Sequence, residues 1–171
     1  MELATTMSED AREDFGALLQ RHRGIVFKVA NSYARDAEDR ADLAQEIAAQ
    51  LWRAWPKYDE RRPVTTWMYR IALNVGISHL RSRSQRDRHQ VPLEDEGVGA
   101  GAEAAGTDPD LHVLHRVIAA LPPLDRALML LYLDERSHGE IAEVLGITET
   151  NVATKVGRLK QRIRQQLTGA A

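Results

Sequence analysis

Two pairs of side chains in this sequence are spaced in a way that could support chemistry. Asp42 and Glu46 stand four residues apart, one turn of a helix, where two carboxylates can share a proton or a cation. His112 and His115 are three apart and could hold a metal if a third ligand joined them. Neither pair has the company that a reaction needs. The chain contains no phosphate loop, no glycine fingerprint for a dinucleotide, no nucleophile elbow and no His-Glu-x-x-His pattern. The expectation is therefore no catalytic residue, no metal and no cofactor. The histidines read as polar residues at the edge of a packing helix. The two acids read as a face for a protein partner or as a solvated helix face.

The stronger chemical signal is cationic. The formal net charge of −2 hides a segregated pattern. Basic against acidic residues number eight to twelve over residues 1–60, seven to one over 61–90, none to six over 91–110 and five to one over 148–171. Affinity for a polyanion depends on local patches that displace counterions, so two basic islands are compatible with nucleic-acid binding despite the near-neutral total.

The second island lies in residues 138–164, H-G-E-I-A-E-V-L-G-I-T-E-T-N-V-A-T-K-V-G-R-L-K-Q-R-I-R, which read as a helix, a tight turn and a second, basic helix. Ser137 with Glu140 is a capping-box signature, Gly146 can end the first helix, and Thr148 can cap the next. Val152, Val156, Leu159, Ile163 and Leu167 recur on one side of that second helix. Asn151, Thr154, Lys155, Arg158 and Arg162 lie on the other, free to meet phosphates and base edges. The same pattern also suits a surface helix with a solvated basic face.

The remaining elements must position these faces. Ser8 can cap a first helix whose stripe of Phe15, Leu18, Leu19, Ile25, Val26, Val29 and Tyr33 packs it. Asp36 can cap a second, with Leu43, Ile47, Leu51 and Trp55 four apart until Pro56 ends it. After the polar connection P-K-Y-D-E-R-R-P, Thr65 or Thr66 can begin a helix reaching about Arg83. Trp67, Met68, Ile71, Ala72 and Val75 form its packing side, and Arg70, Asn74, Ser78 and Arg81 a polar strip. Residues 91–110 lack aromatics and periodicity and read as a linker. Asp108-Pro109 resembles a cap with proline at the first helical position. Leu111, Leu114, Val117, Ile118 and Leu121 follow until Pro122-Pro123, and a leucine-rich helix occupies residues 124–133.

The chain of 171 residues thus suits an all-α fold of two small helical domains, 8–88 and 109–168, joined by a flexible acidic linker at 89–108 and ending in a helix-turn-helix. Cysteine is absent, which excludes disulfides and thiolate metal sites. No apolar run suits a membrane span, and the acidic first residues do not suit a secretory signal. A cytoplasmic location is expected, without membrane insertion.

Taken together, A-D-L-A-Q-E-I-A-A-Q-L-W-R-A-W-P, T-T-W-M-Y-R-I-A-L-N and the terminal helix-turn-helix closely resemble the extracytoplasmic-function class of bacterial sigma factors. The resemblance implies a promoter-specificity subunit that binds core RNA polymerase and promoter DNA and directs initiation, often restrained by an anti-sigma protein. It implies polymerase docking by Asp42, Leu43, Gln45 and Glu46, with Leu43 partly core. It assigns the minus-10 element to Arg62, Thr66, Trp67, Tyr69, Arg70, Asn74 and Arg81, with the loop at 57–64 helping to capture a flipped base and Trp67 bracing the pocket. It assigns the minus-35 element to Thr148, Asn151, Thr154, Lys155, Arg158 and Arg162. Asn151 stands where the family often has threonine, Ala153 where it often has a basic residue, and Ser78 where it often has aspartate, so no promoter sequence carries over. The residues by themselves also fit a helix-turn-helix regulator that binds an operator without polymerase.

Overall fold

The computed structural model describes residues 8–89 and 108–169, with side chains reported to residue 86 in the first stretch. Among them are eight α-helices and no strand: α1 (Glu9–Arg21), α2 (Arg23–Tyr33), α3 (Ala37–Ala54), α4 (Val64–His89), α5 (Pro109–Ala119), α6 (Pro123–Leu133), α7 (His138–Leu145) and α8 (Glu149–Gly169). A short 3-10 turn, Trp55–Lys57, follows α3, with Pro56 inside it. The expected linker lies almost wholly outside the described residues.

Local side-chain chemistry sets most boundaries. Ser8, Asp36, Asp108 and Ser137 each accept a backbone N–H at the start of a helix, which satisfies donors that the helix itself leaves orphaned. One expectation needs correction, since the stripe from Phe15 to Tyr33 belongs to two helices. At His22 the backbone leaves the α region (φ −112°, ψ 20°) and Ile25 N–H reaches back to the His22 carbonyl. The break lets Phe15 meet Trp52 edge-on at a ring distance of 5.1 Å and Trp55 at a tilt at 5.7 Å, while α2 packs against α3 and α4. The apolar period continues through the break and so conceals it.

In the amino-terminal half, Val29, Tyr33, Ile47, Leu51, Met68 and Ala72 are wholly buried where α2, α3 and α4 meet. Gly76 is required there: a Cβ on it would lie 2.8 Å from Cδ2 of Tyr33. That ring cannot easily retreat, because the Tyr33 hydroxyl donates to the Pro123 carbonyl at 2.8 Å. Gly76→Ala is expected to lower stability by about 1–3 kcal/mol, the usual cost of overpacking, and a denaturant titration of the purified variant measures it.

Asp39 ties α3 to α4. It accepts from the Arg35 N–H at 2.8 Å, faces His79 Nε2 at 2.9 Å and pairs with Arg83 at 3.3 Å. Burial disfavours its charge, but these partners outweigh that effect and hold its pKa below the ordinary 3.8. A depressed carboxylate contributes stability that is present above the unfolded pKa and lost as pH falls through the folded one. Asp39→Asn is accordingly predicted to lose less stability than the wild type between about pH 6 and about pH 2.5, as followed by urea unfolding.

The carboxy-terminal half gathers α5 to α8 around Leu128, Leu131, Ile141 and Val152. Its α6 and α7 also pack on α2 and α4, so one continuous apolar core runs through both halves.

Candidate nucleic-acid interface

The helix-turn-helix forms as its sequence signals require. Ser137 Oγ accepts from Glu140 N–H at 3.1 Å and Thr148 Oγ1 from Asn151 N–H at 3.1 Å. Gly146 sits in the left-handed region (φ 69°, ψ 34°), where its N–H closes α7 on the Ala142 carbonyl at 2.9 Å. Val152, Val156, Leu159 and Ile163 then bury against α5 and α6, whereas Leu167, expected to extend that stripe, remains exposed near the end of α8. The opposite face presents Asn151, Thr154, Arg158 and Arg162 to solvent, with Lys155 half-buried beside them. Two of the residues assigned to the minus-35 element are partly committed. The Thr154 hydroxyl donates to the Thr150 carbonyl at 3.0 Å, and Thr148 serves as the cap. Asn151 and Arg158 are exposed on this face.

The first basic island lies on α4, which exposes Arg70, Asn74, Ser78 and Arg81 along one strip. The other residues assigned to the minus-10 element have different surroundings. Thr66 is buried and Tyr69 is wholly so, its hydroxyl donating to Asp134 Oδ2 at 2.5 Å. Trp67 is half-buried in a chain of rings, 4.9 Å from Tyr58 and 6.0 Å from Trp55. The preceding loop is held in shape by Tyr58, whose hydroxyl donates to the Arg62 carbonyl at 2.7 Å, and by Asp59, which accepts from Arg61 N–H at 3.0 Å. Arg62 extends from this loop and pairs with Glu143 of α7 at 3.6 Å.

On α3, Asp42, Gln45 and Glu46 are exposed and Leu43 lies in the core. Glu46 accepts from Gln50 at 3.0 Å. A groove of about 910 Å³ between α3 and α4 is lined by Glu46, Gln50, Asn74, Ser78 and Arg86, so the acidic docking candidate and the best base-contact candidate face one cleft. Sequence reasoning kept them apart because they belong to different motifs. Among the described residues no three or more His, Asp or Glu side chains come together as a metal-binding group.

The family described as Sigma-70 region 2 matches residues 18–86, and the family described as Sigma-70, region 4 matches residues 111–163. The chain belongs to the sigma-70 family of sigma factors, in the extracytoplasmic-function class. It is 24% identical over 168 residues to the ECF RNA polymerase sigma factor SigW of Bacillus subtilis, covering 91% of this chain and 90% of that protein. It is 27% identical over 175 residues to the RNA polymerase sigma factor CnrH of Cupriavidus metallidurans, covering 94% and 90%. Two solved structures share the sigma-factor fold. One is CnrH in complex with the cytosolic domain of CnrY (TM-score 0.69, 22% identity, 94% of this chain and 91% of that one). The other is RpoE in complex with the anti-sigma factor NepR from Bartonella quintana (TM-score 0.72, 17% identity, 91% and 98%). No described helix of this sigma factor is long and apolar enough to cross a membrane.

Proposed function

We propose that this sigma factor is the promoter-specificity subunit of RNA polymerase for a set of promoters read at two elements. The observation that carries this reading is the pairing of two exposed basic helix faces, on α4 and α8, with an exposed acidic strip on α3 of opposite character. Asp42, Gln45 and Glu46 supply charge and polarity for a protein surface, on a helix held rigid by Leu43, Ile47 and Leu51. Asn74 with Arg70 and Arg81 engages the minus-10 element, and melting is sustained by a pocket at the aromatic loop that receives an unstacked base. Asn151, Lys155 and Arg158, helped by Thr148, Thr154 and Arg162, engage the minus-35 element from the major groove.

The contribution is binding rather than catalysis, in the cytoplasm. Docking brings two individually weak DNA contacts into one complex, where the second gains from the effective concentration created by the first. Two of the similar structures are complexes with CnrY and with the anti-sigma factor NepR, and by that likeness an anti-sigma protein is a proposed partner here. Size-exclusion chromatography with core polymerase tests the reading against that of an operator-binding regulator. Stable co-elution with core, and no specific duplex binding without it, is expected; specific duplex binding by the free chain with no co-elution would contradict it.

A further inference from the structure

The helix that carries the minus-10 candidates is anchored unevenly along its length. Met68, Tyr69, Ala72 and Leu73 fix the first half of α4 in the core, but Leu80, 9% exposed, is the last of its described side chains to be buried. From Arg81 to Arg86 only Arg83 is even half-buried. What holds this second half is polar. Asp39 stands in the first turn of α3, its own N–H donating to Asp36 Oδ1 at 2.8 Å, and it meets two α4 side chains that lie one helical turn apart. Its Oδ1 faces His79 Nε2 at 2.9 Å, and its Oδ2 accepts from Arg83 at 3.3 Å and from the Arg35 N–H at 2.8 Å. The side chains of Asp39, His79 and Arg83 are 22%, 29% and 26% exposed, so this cluster is partly shielded from water, unlike an ordinary surface ion pair.

The same three residues line the groove between α3 and α4, in which Asn74 and Ser78 belong to one wall and Glu46 to the other. Along α4, Ala72 and Leu73 in the core precede Asn74 and Ser78, and His79 and Arg83 follow them. A fixed point on each side of so short a stretch of helix sets both its position and its rotation. The geometry assigns Asp39 a positioning role in minus-10 recognition: through His79 and Arg83 it fixes where Asn74 and Ser78 stand relative to the docking face of α3. The assignment rests on the functional reading above. It runs against simple electrostatics, since a carboxylate beside a polyanion repels it and engages an arginine that could otherwise meet a phosphate. Removing that charge should by itself favour DNA. A positioning role requires the opposite.

Asp39→Asn keeps the size of the side chain and removes its charge. In run-off transcription with purified core polymerase its initiation is expected to fall roughly tenfold, as small misplacements of binding groups can cause. Its affinity for core should stay within about threefold of the wild type, because Asp42, Gln45 and Glu46 are untouched. A double-mutant cycle with Asn74→Ala separates positioning from mere loss of stability. If Asp39 acts through Asn74, the two losses overlap, and the double variant falls short of their product by roughly threefold or more. His79→Ala, which leaves the pair of Asp39 with Arg83 in place, should give a smaller loss with the same coupling, and it carries the test if circular dichroism shows Asp39→Asn unfolded. Unchanged or raised initiation by the folded variant, a loss of core affinity as large as the loss of initiation, or losses that simply multiply in the cycle would overturn the assignment while leaving the sigma reading in place. A wild type that yields no transcript would overturn the sigma reading and this assignment with it.

Discussion

Reversing both charges on the docking face, as in Asp42→Lys/Glu46→Lys, is expected to reduce polymerase-dependent initiation by two orders of magnitude or more while leaving the fold intact. Both side chains are exposed, and neither contributes to the core that Leu43, Ile47 and Leu51 form on the inner side of α3. The stability of the variant should therefore stay near that of the wild type, within about 0.5 kcal/mol by denaturant titration. The loss arises on binding, where like charges brought together cost several kcal/mol and the favourable encounter field is removed. Glu46 carries the greater effect, since it also orients Gln50 and lines the groove shared with Asn74. Quantitative core-binding titrations separate the cases. A variant that binds core normally and still fails to initiate would place the function of this strip elsewhere.

The second large effect is expected at Arg158. It sits on the exposed side of α8, nearly three turns beyond the Thr148 cap, with Val156 and Leu159 anchoring the opposite side. Loss of a bidentate base contact costs about 1–3 kcal/mol, roughly five- to 150-fold in affinity, whereas loss of a phosphate contact weakens all sequences alike and lowers the salt dependence. Arg158→Ala should reduce initiation at promoters that depend on the minus-35 element within that range. Comparing minus-35 variants at two salt concentrations distinguishes the two roles. Unchanged initiation would show that α8 is not the upstream reading helix.

The parts of this fold that are legible in the sequence are those decided locally. Ser8, Asp36, Asp108, Ser137 and Thr148 are caps because a short oxygen-bearing side chain meets orphaned N–H groups within three residues, and Gly146 ends α7 because it tolerates φ 69°. The exposed face of α8 follows from the same short-range periodicity. The break at His22 is not legible in this way, because the apolar stripe satisfies both helices. Burial of Tyr69 is less so, since its partner Asp134 lies 65 residues away and is brought there by the packing of α6 and α7 on α4. One signal for that junction was present in the sequence: Arg126 in the run P-L-D-R-A-L-M-L-L-Y-L opens a leucine-rich stretch, and a cation that is buried with such a helix requires carbonyl or ring partners. Its partners Ser32 and Tyr33 lie in the other half.

The central claim, that this sigma factor confers promoter selectivity on polymerase, is tested most directly by run-off transcription from a candidate promoter library with purified core polymerase. The account predicts transcripts that require the protein, whose templates share two upstream elements and which are lost on Asp42→Lys/Glu46→Lys. The absence of any protein-dependent transcript, with a core preparation that is active with another sigma factor, would contradict it.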